Sequence, residues 1–432
     1  MRTYTIQGGV PLRGEIRVSG AKNAATKELV ACLLADEPVT LENVPQIGDV
    51  DVTISMLRDL GAKIQQDGGT VIVDARDLGT AEVSAEFSRK NRIPILLLGP
   101  LLHRFGRAVI PALGGCTIGA RPIDFHLEAL RRMGADVECD EEKYTAIAKK
   151  RLVGTTIELP YPSVGATENS MLTAVKARGT TMIKNAAIEP EIMDLALLLQ
   201  SMGAIIKLDV NRTWIIEGVD HLHGAVHRVV PDRIEAASFA AAAALTGGDI
   251  FVRDAEQAGL MQYLNALRQV GVPYEIKDTG IRFMSAASYK PTTIETDVHP
   301  GFMTDWQQPF VILLTQADGV SIVHETVYED RFGYTEALVH MGAKIQLQKD
   351  CLGLKPCRFA NRDYKHSAII VGKTPLQAAD IIIPDLRAGF SYLIAALIAE
   401  GESHLTGVEL IERGYENIIG KMKSVGAKID AQ

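Results

Sequence analysis

Apolar and polar positions along this chain settle into a pattern that recurs six times. The phrase LRDLGAKI at 57 returns as LRRMGADV at 130, LQSMGAII at 199, LRQVGVPY at 267, LVHMGAKI at 338 and MKSVGAKI at 422. Each reads as a helix end, a glycine stop and a following strand. The glycines, Gly61, Gly134, Gly203, Gly271, Gly342 and Gly426, are spaced by 73, 69, 68, 71 and 84 residues. Six matches at nearly constant spacing predict an internally duplicated architecture. The widest gap carries extra polar sequence at 346–369, read as a surface elaboration.

Each unit also contains an apolar helical stretch that ends in a small turn. These are TKELVACLLADEP, IPILLLGPLLHRFG, ENSMLTAVKARG, EAASFAAAAALTGGD, QQPFVILLTQADG and SYLIAALIAEGE. Several are apolar on most sides, which predicts helices buried all round. Strand-like segments such as TTMIKNA, DIFVRDA and GVSIVHE follow them. The expected fold is α/β, with helices enclosed by sheets and six units divided into two pseudo-symmetric domains of three. HRVVPDRIE, 227–235, lies near the midpoint and is the candidate crossover. The expected domains are residues 1–21 plus 230–432 and residues 22–229, with a ligand cleft between them.

Composition narrows the class. A chain of 432 residues, 47% hydrophobic and 23% charged, fits a globular enzyme of two or more domains. The net charge of −8 argues against broad nucleic-acid binding, so an anionic ligand needs a local cluster of cations. The five cysteines, 32, 116, 139, 351 and 357, are odd in number and lack metal-finger spacing. Cys351 and Cys357 could pair, but a reduced chain is the expectation. The N-terminus has no apolar signal core, and the longest apolar run, near Ile93 to Leu102, is too short to span a bilayer. A cytoplasmic protein without membrane insertion is expected.

Candidate chemistry centres on LGGCTIGARP, 113–122. Glycines flank Cys116 and let a loop change shape cheaply. Arg121 supplies a permanent charge with a fork suited to carboxylate or phosphate. A glycine turn with an inert buried cysteine is the alternative. In SGAKNAA, Lys22 and Asn23 sit where a strand turns into a buried helix, a place where lysine can meet phosphate or be a solvated turn residue. Arg92 heads another helix, as a ligand group or a cap. In SVGATEN, Ser163 reads as an N-cap and, with nearby amides, suits a diphosphate. Asp305 in HPGFMTDWQQPF is either a general base or a helix-terminal charge. Arg331, Arg387 and Arg413 each could be surface arginines. Most helix entrances in the six units thus carry polar or charged residues.

These motifs, SGAKNAA, GGCTIGARP-x-D-x-H, SVGAT, PDRIE, HP-x-F-x-TD, ETV-x-E-x-RF, DLRA and RGYE, resemble the UDP-N-acetylglucosamine 1-carboxyvinyltransferase family, in order and over essentially the whole chain. The resemblance implies an inside-out α/β barrel of two domains, each with three similar units and buried helices. It implies transfer of the enolpyruvyl group of phosphoenolpyruvate to the 3-hydroxyl of UDP-N-acetylglucosamine, releasing phosphate, at the first committed step of peptidoglycan synthesis. That chemistry needs an acid, a base and dense positive charge, with no cofactor and no metal. By resemblance Cys116 is the proton donor, and the thiol that fosfomycin alkylates. Asp305 takes the sugar hydroxyl proton. Lys22, Arg121, Arg387 and Arg413 hold phosphoenolpyruvate. Asn23, Arg92, Arg121, Pro122, Ile123, Asp124, Phe125, Ser163, Val164, Gly165, Asp305 and Val327 belong to the UDP-N-acetylglucosamine site. The chain departs from the family pattern at Thr26, Lys27 and Glu28, where apolar residues are usual, at Tyr161 and Pro162, where a basic residue is common, and after Arg92, where IPI replaces a small polar pair. A non-catalytic, regulatory UDP-sugar-binding paralogue of the same fold is the competing reading.

Overall fold

The computed structural model describes residues 2–111, 113, 123–354 and 357–431. Cys116, Arg121 and Pro122 lie outside the described residues. The chain forms two compact units. One contains the N-terminal residues to Ser19 and the chain from Pro231 onward; the other begins at Gly20 and runs to Val230.

The first unit holds three four-stranded sheets. Their strand orders are 380–382, 402–406, 3–7, 428–431; then 274–277, 280–284, 249–253, 13–17; then 293–295, 320–324, 367–371, 344–348. Each combines one parallel pair with two antiparallel pairs, as between Val320–His324 and its neighbours. The second unit holds two such sheets and a three-stranded one, 107–111, 143–147, 136–139. There a single parallel bridge, Glu82 to Val109, stands where the fourth strand would pair.

The apolar stretches become central helices. In the first unit these are Arg233–Leu245, Gln307–Thr315 and Leu386–Ile398, and they pack against one another pairwise. Every residue of Gln307–Thr315 is buried. A helix with no wet face must be mostly apolar, and these are, with the polar residues gathered mainly in the first turns, as at Gln307 and Gln308. In the second unit the counterparts are Lys22–Ala31, Leu98–Phe105 and Val164–Ala174. The amphipathic helices, such as Gln257–Val270, bury one face only.

The recurring glycine has one structural cause. All six adopt φ between 94° and 103°, the left-handed region that glycine enters without penalty. After each, the next residue's amide reaches back to the helix, as in Ala62 N to Leu57 O at 3.0 Å and Ala427 N to Met422 O at 3.0 Å. That pattern closes a helix and aims the chain into a strand. The segment at 346–369 is less superficial than expected. Its ends continue the 344–348 and 367–371 strands, and Phe359 and His366 are fully buried.

Candidate active site

In the first unit Asp305 lies in a 3-10 turn, Thr304–Trp306, that leads into Gln307–Thr315. Arg331 Nη2 donates to its Oδ1 at 2.6 Å, and Arg387 Nε faces its Oδ2 at 3.3 Å. Arg331 and Arg387 are 4% and 6% exposed, so neither is the surface arginine that remained open from sequence. Burial alone would drive the Arg331 guanidinium's pKa down; the Asp305 and Asp385 carboxylates outweigh it and hold the pKa above its ordinary value. Arg387 is also held high: burial opposes its charge, while Tyr415, Asp305 and Asp232 favour it. Its Nη1 donates to the Tyr415 hydroxyl at 3.1 Å, and that ring stacks on Phe390. Arg387 therefore has a fixed fork and little rotamer freedom to lose.

Behind Asp305 a second acid organises the turn. Glu325 is fully buried and accepts from Thr304 Oγ1 at 2.8 Å and Gln307 Nε2 at 2.6 Å. Its other oxygen accepts from the amides of Val327 at 2.6 Å and Tyr328 at 3.0 Å. Burial raises its pKa against these donors. Val327 is thereby tied to the residue preceding Asp305. Arg413 caps the short helix Glu409–Glu412, two residues before Tyr415. Sequence reasoning passed over Glu325, the ion-pairing role of Arg331 and Tyr415; ETVYEDRF and RGYE carried them, yet their partners are remote in the chain.

In the second unit Lys22 opens its helix, and its Nζ meets Asp49 at 2.6 Å. Its side chain is 18% exposed, unlike a solvated turn lysine. Asn23 follows it and is half-buried. Ser163 caps Val164–Ala174, with Oγ accepting from the Ala166 amide at 3.4 Å. Gly165 closes on His126: a Cβ there would stand 3.1 Å from His126 Cε1. His126 is held neutral, its pKa pushed down to about 3 by burial and then by the charge of Arg92. Arg92, His126 and the Ser163–Gly165 turn are thus neighbours. Asp124 and Phe125 instead line a cavity of about 1000 Å³ with Arg131, Arg132, Pro160 and Asn185. Asp124 and Phe125 open the helix Asp124–Arg132, and Ile123 is its N-cap. Cys32 is fully buried and its thiol is pushed far up by burial, so it is inert. Among the described residues no helix is long and apolar enough to cross a membrane.

The fold is shared with solved enolpyruvyl transferases. It superposes on the enolpyruvyl transferase NikO from Streptomyces tendae with a TM-score of 0.88 at 24% identity, over 100% of this chain and 99% of that one. It superposes on EPSP synthase from Acinetobacter baumannii with a TM-score of 0.80 at 19% identity, over 100% of both chains. At such identities the likeness is one of fold. The family model described as EPSP synthase (3-phosphoshikimate 1-carboxyvinyltransferase) matches residues 6–422, and the chain belongs to this family. Within it, similarity is far higher to proteins named UDP-N-acetylglucosamine 1-carboxyvinyltransferase. That of Protochlamydia amoebophila is 51% identical over 99% of this chain and 94% of its own length. That of Chlamydia abortus is 50% identical over 99% and 98%, and that of Finegoldia magna 40% identical over 100% and 99%.

Proposed function

We propose that this chain transfers the enolpyruvyl group of phosphoenolpyruvate to the 3-hydroxyl of UDP-N-acetylglucosamine, in the cytoplasm. The observation that carries this reading is half-identity over nearly the whole length to relatives named for that reaction. In the first half-reaction Cys116 protonates the methylene carbon of phosphoenolpyruvate. The sugar oxygen bonds to the neighbouring carbon, and Asp305 takes the hydroxyl proton. In the second, the tetrahedral adduct loses phosphate from that carbon and a proton from the new methyl, restoring the double bond.

Lys22, Arg121, Arg387 and Arg413 hold the phosphate and carboxylate of phosphoenolpyruvate, where preorganised cations stabilise developing charge. Arg387 now faces Asp305, so an anion drawing on that guanidinium weakens the ion pair and frees the carboxylate to accept a proton. Lys22 must likewise share its charge between Asp49 and the incoming anion. Asn23, Arg92, Arg121 to Phe125, Ser163 to Gly165 and Val327 serve the nucleotide sugar.

Phosphate release from phosphoenolpyruvate that depends on UDP-N-acetylglucosamine is the expected result. Release absent at saturating substrates, with the nucleotide sugar still bound, would favour a regulatory paralogue. In the same assay Cys116→Ser should lose most turnover, because a hydroxyl is too weak an acid near neutral pH, while Cys116→Asp should keep some. Full turnover in the serine variant would remove Cys116 from the reaction.

A further inference from the structure

The loop between the Lys344–Gln348 and Ser367–Val371 strands folds back on the sheet and brings four metal-ligating side chains to one point. His324 ends one strand, and Ser367, its partner in register, begins the next. His366 precedes Ser367, and the loop supplies Cys351 and Cys357. One donor atom from each of the four lies within 4.8 Å of all the others. Cys351 Sγ stands 3.3 Å from Cys357 Sγ and 3.3 Å from His366 Nε2.

The hydrogen bonds around the cluster fix which atoms face it. His366 Nδ1 lies 2.8 Å from the Tyr364 carbonyl, which can only accept, so Nδ1 carries the proton and Nε2 presents a lone pair. Ser367 Oγ donates to the Asp350 carbonyl at 2.7 Å and must accept from His324 Nδ1 at 2.8 Å. His324 Nε2 is therefore also a lone pair. It is buried, and among the described residues it has no hydrogen-bond partner. A buried acceptor facing two thiols, with its tautomer set by a neighbour, is how metal-binding histidines are held. The loop is shaped for close approach: a Cβ at Gly353 would stand 2.3 Å from His324 Cδ2. The next amide, Leu354 N, is anchored to Glu295 Oε2 at 3.3 Å.

We propose that Cys351, Cys357, His324 and His366 form a tetrahedral zinc site that staples this loop to its sheet. Thiolate and imidazole donors in a set of two and two select zinc. Ligand lengths of about 2.3 Å to sulfur and about 2.0 Å to nitrogen place tetrahedral donors ~3.3–3.8 Å apart, close to the two 3.3 Å contacts of Cys351 and within about 1.5 Å of every other donor pair, since all lie within 4.8 Å. Four protein ligands leave no open position, so the site is structural. Each thiol gives up its proton on binding, and the two thiolates balance the ion's charge. The staple reaches the candidate active site: the His366 carbonyl accepts from the Glu325 amide at 2.8 Å, and loop residue Arg358 donates to the Val327 carbonyl.

Elemental analysis of the full chain, purified under reductant without chelator from zinc-supplied cells, should find about one zinc per chain. Metal-free protein refilled with cobalt(II) should show thiolate-to-cobalt charge transfer and the absorption of a tetrahedral ion. Cys351→Ser and Cys357→Ser should each lose the metal, while Cys139→Ser, in the other unit, keeps it. Three results would overturn the proposal: reduced wild-type protein that takes up neither metal, a metal that survives both substitutions together, or a metal-free chain lighter by two thiol hydrogens because Cys351 and Cys357 have oxidised to a disulfide.

Discussion

Both units bury acids beside a central helix, but they compensate them differently. In the first, Asp305 lies between two permanent cations, Arg331 and Arg387. In the second, Glu28 is fully buried beside Asp194, and His227 faces the pair at 3.1 Å from Asp194 and 3.7 Å from Glu28, with the more distant charge of Lys27 also opposing the proton on Glu28. Burial and the Asp194 charge push the Glu28 pKa well up. Glu168, also buried, is pushed up to about 7 by burial, with Lys27 at 3.9 Å opposing. Guanidiniums stay charged at any physiological pH, so the first cluster keeps Asp305 as an ion-paired carboxylate. The second holds protons instead, and its charge depends on pH. The lesson is that burial does not assign a role to an acid; the kind of partner does.

The sharpest way to break this contrast is at Asp305. Asp305→Asn keeps the shape but removes the charge and leaves one acceptor oxygen for two arginines, so it removes the base at the cost of one of these contacts. Turnover should fall by roughly two to four orders of magnitude while the nucleotide sugar still binds. Rate and calorimetric titration together check this, and a near-normal rate would make Asp305 a helix-terminal charge only. Next is Arg331→Met, which leaves Asp305 leaning on Arg387 alone. Removing one partner of a buried pair should cost on the order of 3 kcal/mol of stability, read by urea unfolding. A loss below about 1 kcal/mol would mean the pair is as weakly coupled as a surface one.

Glu168→Gln probes the other side, and its effect has the opposite sign. The folded pKa of about 7 lies above the unfolded value of 4.5, so the folded state binds the extra proton between them. The stability that Glu168 contributes is complete below pH 4.5 and is lost as pH rises through 7, at no more than about 1.4 kcal/mol per pH unit. The glutamine variant should therefore melt higher than the parent at pH 8, and its melting temperature should fall less between pH 5 and 8. Identical slopes would show that Lys27 already keeps Glu168 ionised.

The repeat, the enclosed helices and the glycine stops were legible because each follows from local periodicity and backbone conformation. Asp305 and Arg387 were visible as charged residues at helix entrances but with their roles left open, and Val327 was reachable only through family resemblance, which supplied positions without their contacts. Arg331 was named without its ion pair and Glu325 was not singled out, because their partners lie 26 and 21 residues away and sequence carries no sign of that distance being closed. The buried acid cluster had a signal: Thr26, Lys27 and Glu28 break an otherwise apolar helix. Thr26 returns its hydroxyl to Lys22 O, Lys27 reaches Asn23 O and Glu168, and Glu28 meets His227. The cysteines at 351 and 357 were set aside for want of metal-finger spacing, because the histidines beside them, His324 and His366, stand 27 residues before Cys351 and 9 after Cys357.

The smallest expected effect is at Ser163, where the units differ again. In the first unit the central helices Arg233–Leu245 and Leu386–Ile398 are capped by aspartates: Asp232 accepts from Ile234 N at 2.7 Å and Asp385 from Arg387 N at 2.8 Å. An anionic cap neutralises the positive end of the helix. Ser163 is neutral, its bond to Ala166 N is long at 3.4 Å, and the end of Val164–Ala174 keeps its partial charge for an outside anion. Ser163→Ala should thus cost only about 0.5 kcal/mol of stability, at the low end for a lost cap. If the nucleotide diphosphate sits on that turn, affinity for UDP-N-acetylglucosamine should fall by more than this, roughly threefold to tenfold, since a hydrogen bond to a charged group is worth more than a neutral one. Thermal melts and calorimetric titration of the one variant separate the two quantities. Equal affinity in the alanine variant would leave Ser163 as a cap alone and move the diphosphate to other residues.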